Sequence, residues 1–184
     1  MKKLFCALLL AAASLAASAV DLTPAQTASL KAAIIADNNL SAQKATRDTQ
    51  AIANYLNTSS TFIVWRTAVS LDEIMRGAID WTRVDNLSVG KARVWDWMGR
   101  LGNLDCSKPN IRAGIDAVWV GTAADLAVRA TVYAQCKRAA TRFEKVFAAG
   151  TGSDATPGLL VIEATIDELT IRRMAWSDTG DWLL

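Results

Sequence analysis

Helix-start signals recur at short intervals along this chain, and they constrain its fold more than any other feature. Thr23-Pro24 is followed by Gln26, which supplies a cap, a proline at the first helical position and a capping-box glutamine. Ser70 precedes Glu73, and Thr141 precedes Glu144, at the same spacing. Ser88, Ser107-Lys108-Pro109, Thr122 and Thr165 with Glu168 mark further starts. Gly102, Gly121 and Gly150 mark stops. A chain cut this often reads as mostly α: a compact multi-helix bundle with one or two short extended segments.

The apolar stripes follow these starts. Leu30, Ile34 and Ile35 recur at helical spacing, and Ala42 to Leu56 reads as one helix with Ile52, Tyr55 and Leu56 on one side. After Ser70 the stripe is Ile74, Ala78 and Trp81. From Ser88 to about Leu101 it is Val94, Trp97, Met98 and Leu101, which are expected to face inward. Ile111, Ile115 and Val118 form the next, and Thr122 opens a helix through Cys136. A last helix runs from Thr165 to about Ala175. Thr61 to Trp65 is a β-prone run after the break Asn57-Thr58-Ser59-Ser60. It reads as an extended connector in the core, because so short a run makes no stable sheet alone. Leu159 to Ile162 reads as a short strand, and residues 151–158 as a turn-rich loop.

Length and composition fit one domain with a real core: 184 residues, 52% hydrophobic and 21% charged. We assign it to residues 20–176, with 177–184 as a C-terminal tail. Seven tryptophans are many for this size. Trp95 and Trp97 lie two apart, so a helix points them in different directions, and one can be core while the other meets a partner. Both filling the core is the alternative. Trp182, in the tail Trp182-Leu183-Leu184, is a third interface candidate.

Residues 1–19 read as a secretory signal peptide or an apolar N-terminal arm. Lys2 and Lys3 precede an apolar run from Leu4 to Ala17, which ends in Ala17-Ser18-Ala19. That run is short for a membrane span, and Cys6 has no lipoprotein-type context. Beyond it stand Cys106 and Cys136. They form a candidate disulfide in an oxidising compartment and stay thiols in the cytosol.

The inventory for catalysis is poor. The chain has no histidine, which removes the commonest general base and the commonest zinc ligand. The cysteines have no CxxC spacing. We therefore expect no enzyme, no cofactor and no metal site. Gly150-Thr151-Gly152-Ser153 lacks the following helix and Lys-Ser/Thr pair of a phosphate loop. Ser153-Asp154 has no histidine to complete a triad. Asp72-Glu73 and Asp167-Glu168 sit at helix starts, where the helix dipole favours negative charge. Omitting Lys2 and Lys3 from the 20 basic residues leaves 18 against 18 acidic. That balance gives no basic surface for nucleic acid. Lys137-Arg138 and Arg172-Arg173 read as solvated helix faces.

Three stretches carry a resemblance. They are Thr61-Phe62-Ile63-Val64-Trp65-Arg66-Thr67, Ser88-Val89-Gly90-Lys91-Ala92-Arg93 with its Trp-rich continuation, and Lys137 to Lys145 leading into Gly150-Thr151-Gly152-Ser153. Over about residues 21–170 the chain resembles small helical proteins encoded among the structural genes of tailed bacteriophages. The resemblance implies a head-to-tail adaptor or neck component, a homo-oligomeric ring between the portal and tail proteins of the virion, assembled in the host cytoplasm. It carries over no functional residues. An export signal departs from that pattern. The alternative is a secreted or periplasmic helical binding protein with a cleaved signal peptide.

Overall fold

The chain closes on itself at one antiparallel strand pair. β1 (Ser59–Trp65) runs beside β4 (Lys137–Thr141), with Val64 opposite Arg138 and Trp65 opposite Lys137. Everything between them, residues 66–136, leaves and returns through this neck. The computed structural model describes residues 20–77, 79–176 and 180–184. The signal or arm assigned to residues 1–19, and Ala78 of the expected stripe, lie outside the described residues, as do positions 177–179 of the tail.

The protein is mostly α-helical, with ten α-helices among the described residues. They gather around two hydrophobic clusters, one on each side of the neck. The first uses α1 (Pro24–Ala36), α3 (Thr49–Leu56), α9 (Arg142–Phe147) and α10 (Glu168–Ala175), while α2 (Ser41–Thr46) packs beside α3 and buries none of its own residues. Leu30, Ile34, Leu40, Ile52, Phe143 and Ile171 are fully buried there. The second lies in the excursion: α4 (Leu71–Arg76), α5 (Trp81–Asp85), α6 (Val89–Gly99), α7 (Pro109–Val118) and α8 (Ala123–Gln135). Ile74, Leu104, Ile115, Val118, Trp119 and Val132 are fully buried in it. A two-residue pair, β2 (Val69–Ser70) with β3 (Asn103–Leu104), ties its start to its middle.

Local capping explains most helix starts. Thr23, Thr122 and Thr141 each accept from the backbone three residues on, and Gln26, Asp125 and Glu144 reach back. Ser88 stands at the cap position of α6 without a side-chain cap bond. The last helix starts at Asp167, whose carboxylate accepts from Thr170, rather than at Thr165.

Three other expectations change. Ala42 to Leu56 is not one helix: Arg47 adopts a left-handed conformation, φ 57°, and Asp48 caps α3 through the Ala51 N–H. The stripe beginning at Ile74 stops at Gly77, and Asp80 caps a new helix, so Trp81 faces solvent. Ile35 also faces outward, whereas Leu30 and Ile34 are core.

β1 is a strand with both edges bonded, not a bare connector. β4 covers one edge. On the other, Ile63 N–H donates to Gly152 O at 2.7 Å, Gly158 N–H to Ile63 O at 2.8 Å and Trp65 N–H to Gly158 O at 3.1 Å. The turn-rich loop is therefore a brace for β1. Leu159 makes only an isolated bridge to Ala149 and heads no full strand.

Gly152 shows why the brace needs glycine. Its φ is +64°, and a Cβ there would collide with the Phe62 ring. Gly152→Ala should cost about 2–3 kcal/mol, combining left-handed strain with overpacking. Gly90→Ala has open space in α6 and should gain up to about 1 kcal/mol of helix propensity. Urea denaturation of the two variants checks this, and equal midpoints would refute the brace.

Candidate functional site

α6 presents its two tryptophans in opposite senses. Trp95 is 5% exposed and Trp97 58% exposed. Trp95 meets Trp119 edge-on, with ring centroids 5.2 Å apart, an arrangement that aromatic quadrupoles favour. The buried stripe is Trp95 and Met98, with Val94 packed alongside. Trp97 and Leu101, expected inward, face outward. Both registers have three- and four-residue spacing, so periodicity alone did not separate them. The partner ring, Trp119, lies outside the helix that it selects.

Trp95 is thus core, and Trp97 is the tryptophan of this pair that a partner can reach. Val89 and Trp97, with Leu101 in the turn just past its end, give the outward side of α6 an apolar character, interrupted by the Arg100–Asp96 pair. Trp182 is half-buried. It stacks edge-on against Trp176 at 5.3 Å, and Leu183 N–H donates to Ala175 O at 2.8 Å. Trp182 and Leu184 pack against the first cluster. A second exposed apolar pair, Leu159 and Val161, lies beyond the brace.

Cys106 and Cys136 are brought together as a disulfide, both fully buried. They flank Arg66: Arg66 N–H donates to Cys136 O at 2.9 Å, and Cys106 N–H donates to Arg66 O at 3.0 Å. The Arg66 guanidinium grips Glu73 with both terminal nitrogens, at 2.6 and 3.1 Å. The bond therefore pins the point where the excursion leaves β1.

The buried charges are structural in their geometry. Arg138, on β4, holds both oxygens of Glu144 at 2.7 Å and Glu163 at 3.0 Å. It is a strand residue in a fork-to-fork pair, not the solvated helix face expected of Lys137-Arg138. Arg172 and Arg173 do lie on the outside of α10. Burial pushes the Glu144 carboxyl up, but the Arg138 fork and the Thr141 N–H outweigh it and leave it below the usual range. Asp125 pairs with Arg83 and accepts from Thr122, which lowers its pKa to about 2. Each of these groups is already saturated by its neighbours. Among the described residues no group of three or more His, Cys, Asp or Glu could hold a metal ion, and no helix is long and apolar enough to cross a membrane. The chain matches no known protein family, no curated protein and no solved structure.

The two tryptophans should separate cleanly on mutation. Trp95→Ala should destabilise by about 3–5 kcal/mol, as a large core truncation does. Trp97→Ala should leave the stability of the single, unassembled chain within about 0.5 kcal/mol, as a surface change does. Chemical denaturation checks both, and a large loss at Trp97 would place it in the core.

The ion pairs set a pH window. Glu144, Asp125 and Asp167 all have lowered native pKa values, so the unfolded chain binds more protons than the native one in acid. Their contribution is complete above about pH 4.5 and is lost as pH falls through the native values. The urea midpoint should decline steadily below about pH 4.5. Arg138→Ala should lower stability at pH 7 by about 3 kcal/mol and flatten that acid slope.

Proposed function

We propose that this protein is a virion structural component, a head-to-tail adaptor or neck protein that forms a homo-oligomeric ring between portal and tail. The outward face of α6 carries this reading. A tryptophan 58% exposed, flanked by Val89 and Leu101, is an aromatic anchor of the type that concentrates binding energy at interface centres. Head-to-tail rings need two different patches per copy, because their interfaces are heterologous. Leu159 and Val161 supply a second patch on the other half of the chain. The balanced charge suits packing of like against like, and the saturated ion pairs suit a scaffold rather than turnover. The resemblance to tailed-phage structural proteins points the same way.

A second reading rests on one observation. The Cys106–Cys136 disulfide favours an oxidising compartment. With the leader-like residues 1–19 it suits a secreted or periplasmic helical binding protein.

Native mass spectrometry of the full chain separates the two. The adaptor reading expects a ring-sized oligomer with residues 1–19 retained and Cys6, Cys106 and Cys136 all as free thiols, and Trp97→Ala should dissociate it. A monomer beginning at Val20, two hydrogens light, would overturn the ring and support export.

A further inference from the structure

A cleft of about 690 Å³ lies where the excursion meets the brace. α7 and α8 form one wall, and Asp154 and Ala155 of the glycine-rich loop form the other. Trp65, at the end of β1, and Tyr133, on α8, line it with rings 5.7 Å apart. The size suits a small ligand or a short peptide segment.

Its charges are unequal. Arg129 pairs with Asp116 at 3.4 Å, and Lys137 pairs with Asp154 at 3.2 Å. Arg112 has no carboxylate partner among the described residues. Its Nη1 donates to the carbonyls of Cys106 and Ser107, at 2.7 and 2.8 Å, and its guanidinium carbon lies 4.8 Å from the Trp65 ring centroid. Those contacts hold the side chain in place. They leave Nε and Nη2, the edge that grips a carboxylate with two parallel bonds, without a protein partner among the described residues. Lys137 Nζ also donates to the Asp154 backbone carbonyl at 2.7 Å, which positions it, while the Asp154 carboxylate is 85% exposed and neutralises it only weakly in water. Tyr133 cannot fill the vacancy: its hydroxyl is tied to Asp116 at 2.9 Å, and burial pushes its pKa up to about 12.

We propose that this cleft binds a carboxylate on an apolar or aromatic body, with the Arg112 fork taking the carboxylate and Trp65 and Tyr133 taking the body. Lys137 supplies a second positive charge beside the same indole, 5.8 Å from its centroid. A guanidinium already stacked and hydrogen-bonded loses little freedom on binding. The carboxylate can belong to a free organic acid or to an acidic side chain of a peptide. The site is independent of the ring interface, since none of its residues lies on α6.

The test is calorimetric titration of the full chain with benzoate, with benzamide, and with two capped tripeptides that carry glutamate or glutamine between leucines. At least one acid should bind about tenfold or more tightly than its amide, as a lost bidentate charge-assisted pair implies. Tighter binding of the glutamate peptide than of benzoate identifies a peptide source, and the reverse identifies a small acid. Arg112→Gln should abolish the preference for acid over amide. Asp154→Asn should tighten the acid about two- to threefold by removing the negative charge that offsets Lys137, a gain that misfolding cannot mimic. Equal binding of acids and amides, or an unchanged preference in Arg112→Gln with no gain in Asp154→Asn, would overturn the proposal.

Discussion

The antiparallel pairing of β1 with β4 is the constraint on which the rest depends. The two strands are separated by the whole of residues 66–136, so their register closes a long loop and carries its entropy cost. Several interactions at one place offset that cost. β1 is bonded along both edges, by β4 and by the glycine-rich brace. Arg66, the next residue, is clamped by the backbones of both cysteines and by Glu73. Without this neck, the first cluster would lose the connection between α3 and α9, which lie on opposite sides of the excursion in sequence. Thr58 and Arg142 mark that connection directly, through a backbone bond of 2.9 Å.

What the sequence makes legible follows from range. Capping is a conversation over three residues, so Thr23, Ser70, Thr122 and Thr141 announce their helices without help from the fold. The mostly helical class follows from those signals. Pairing of β1 with β4 is different, because Thr61 to Trp65 finds its partner in Lys137 to Thr141, a basic and alanine-rich run with weak strand character. Nothing local marks that run as a strand, and the preceding helix pattern hides it. Arg138 was misread for the same reason: Glu163, one of its two partners, is twenty-five residues away. The stripe read from the sequence puts Trp97 inward, and the structure reverses it, because Trp95 and Met98 form an equally regular stripe. A distant ring at Trp119 decided between them.

The buried ion pairs bear on uniqueness more than on stability. Taking Arg138, Glu144 and Glu163 partly out of water costs desolvation that their attraction roughly returns. Their geometry is nonetheless specific: the fork on Glu144 fits only when β4 leads directly into α9. Glu163 brings in the segment after the brace and also accepts from Thr67, at the start of the excursion. One arginine on the neck thus fixes the relative positions of three chain segments. An apolar residue would bury as much surface but would tolerate slippage of the strand, which turns each side chain to the opposite face.

In the proposed ring, that fixed neck bears on assembly. A ring closes only when the angle between its two contact patches is set within each copy; an open angle gives filaments or mixtures. Here one apolar patch lies on α6, within the excursion, and the other at Leu159 and Val161, beyond the brace. The path between them runs through β1, β4, the clamped Arg66 and the Arg138 cluster. In the ring reading these interactions define the curvature, because any play at the neck would become play in the angle between neighbours. This gives a physical reason for placing a two-sided strand and a forked ion pair at one junction.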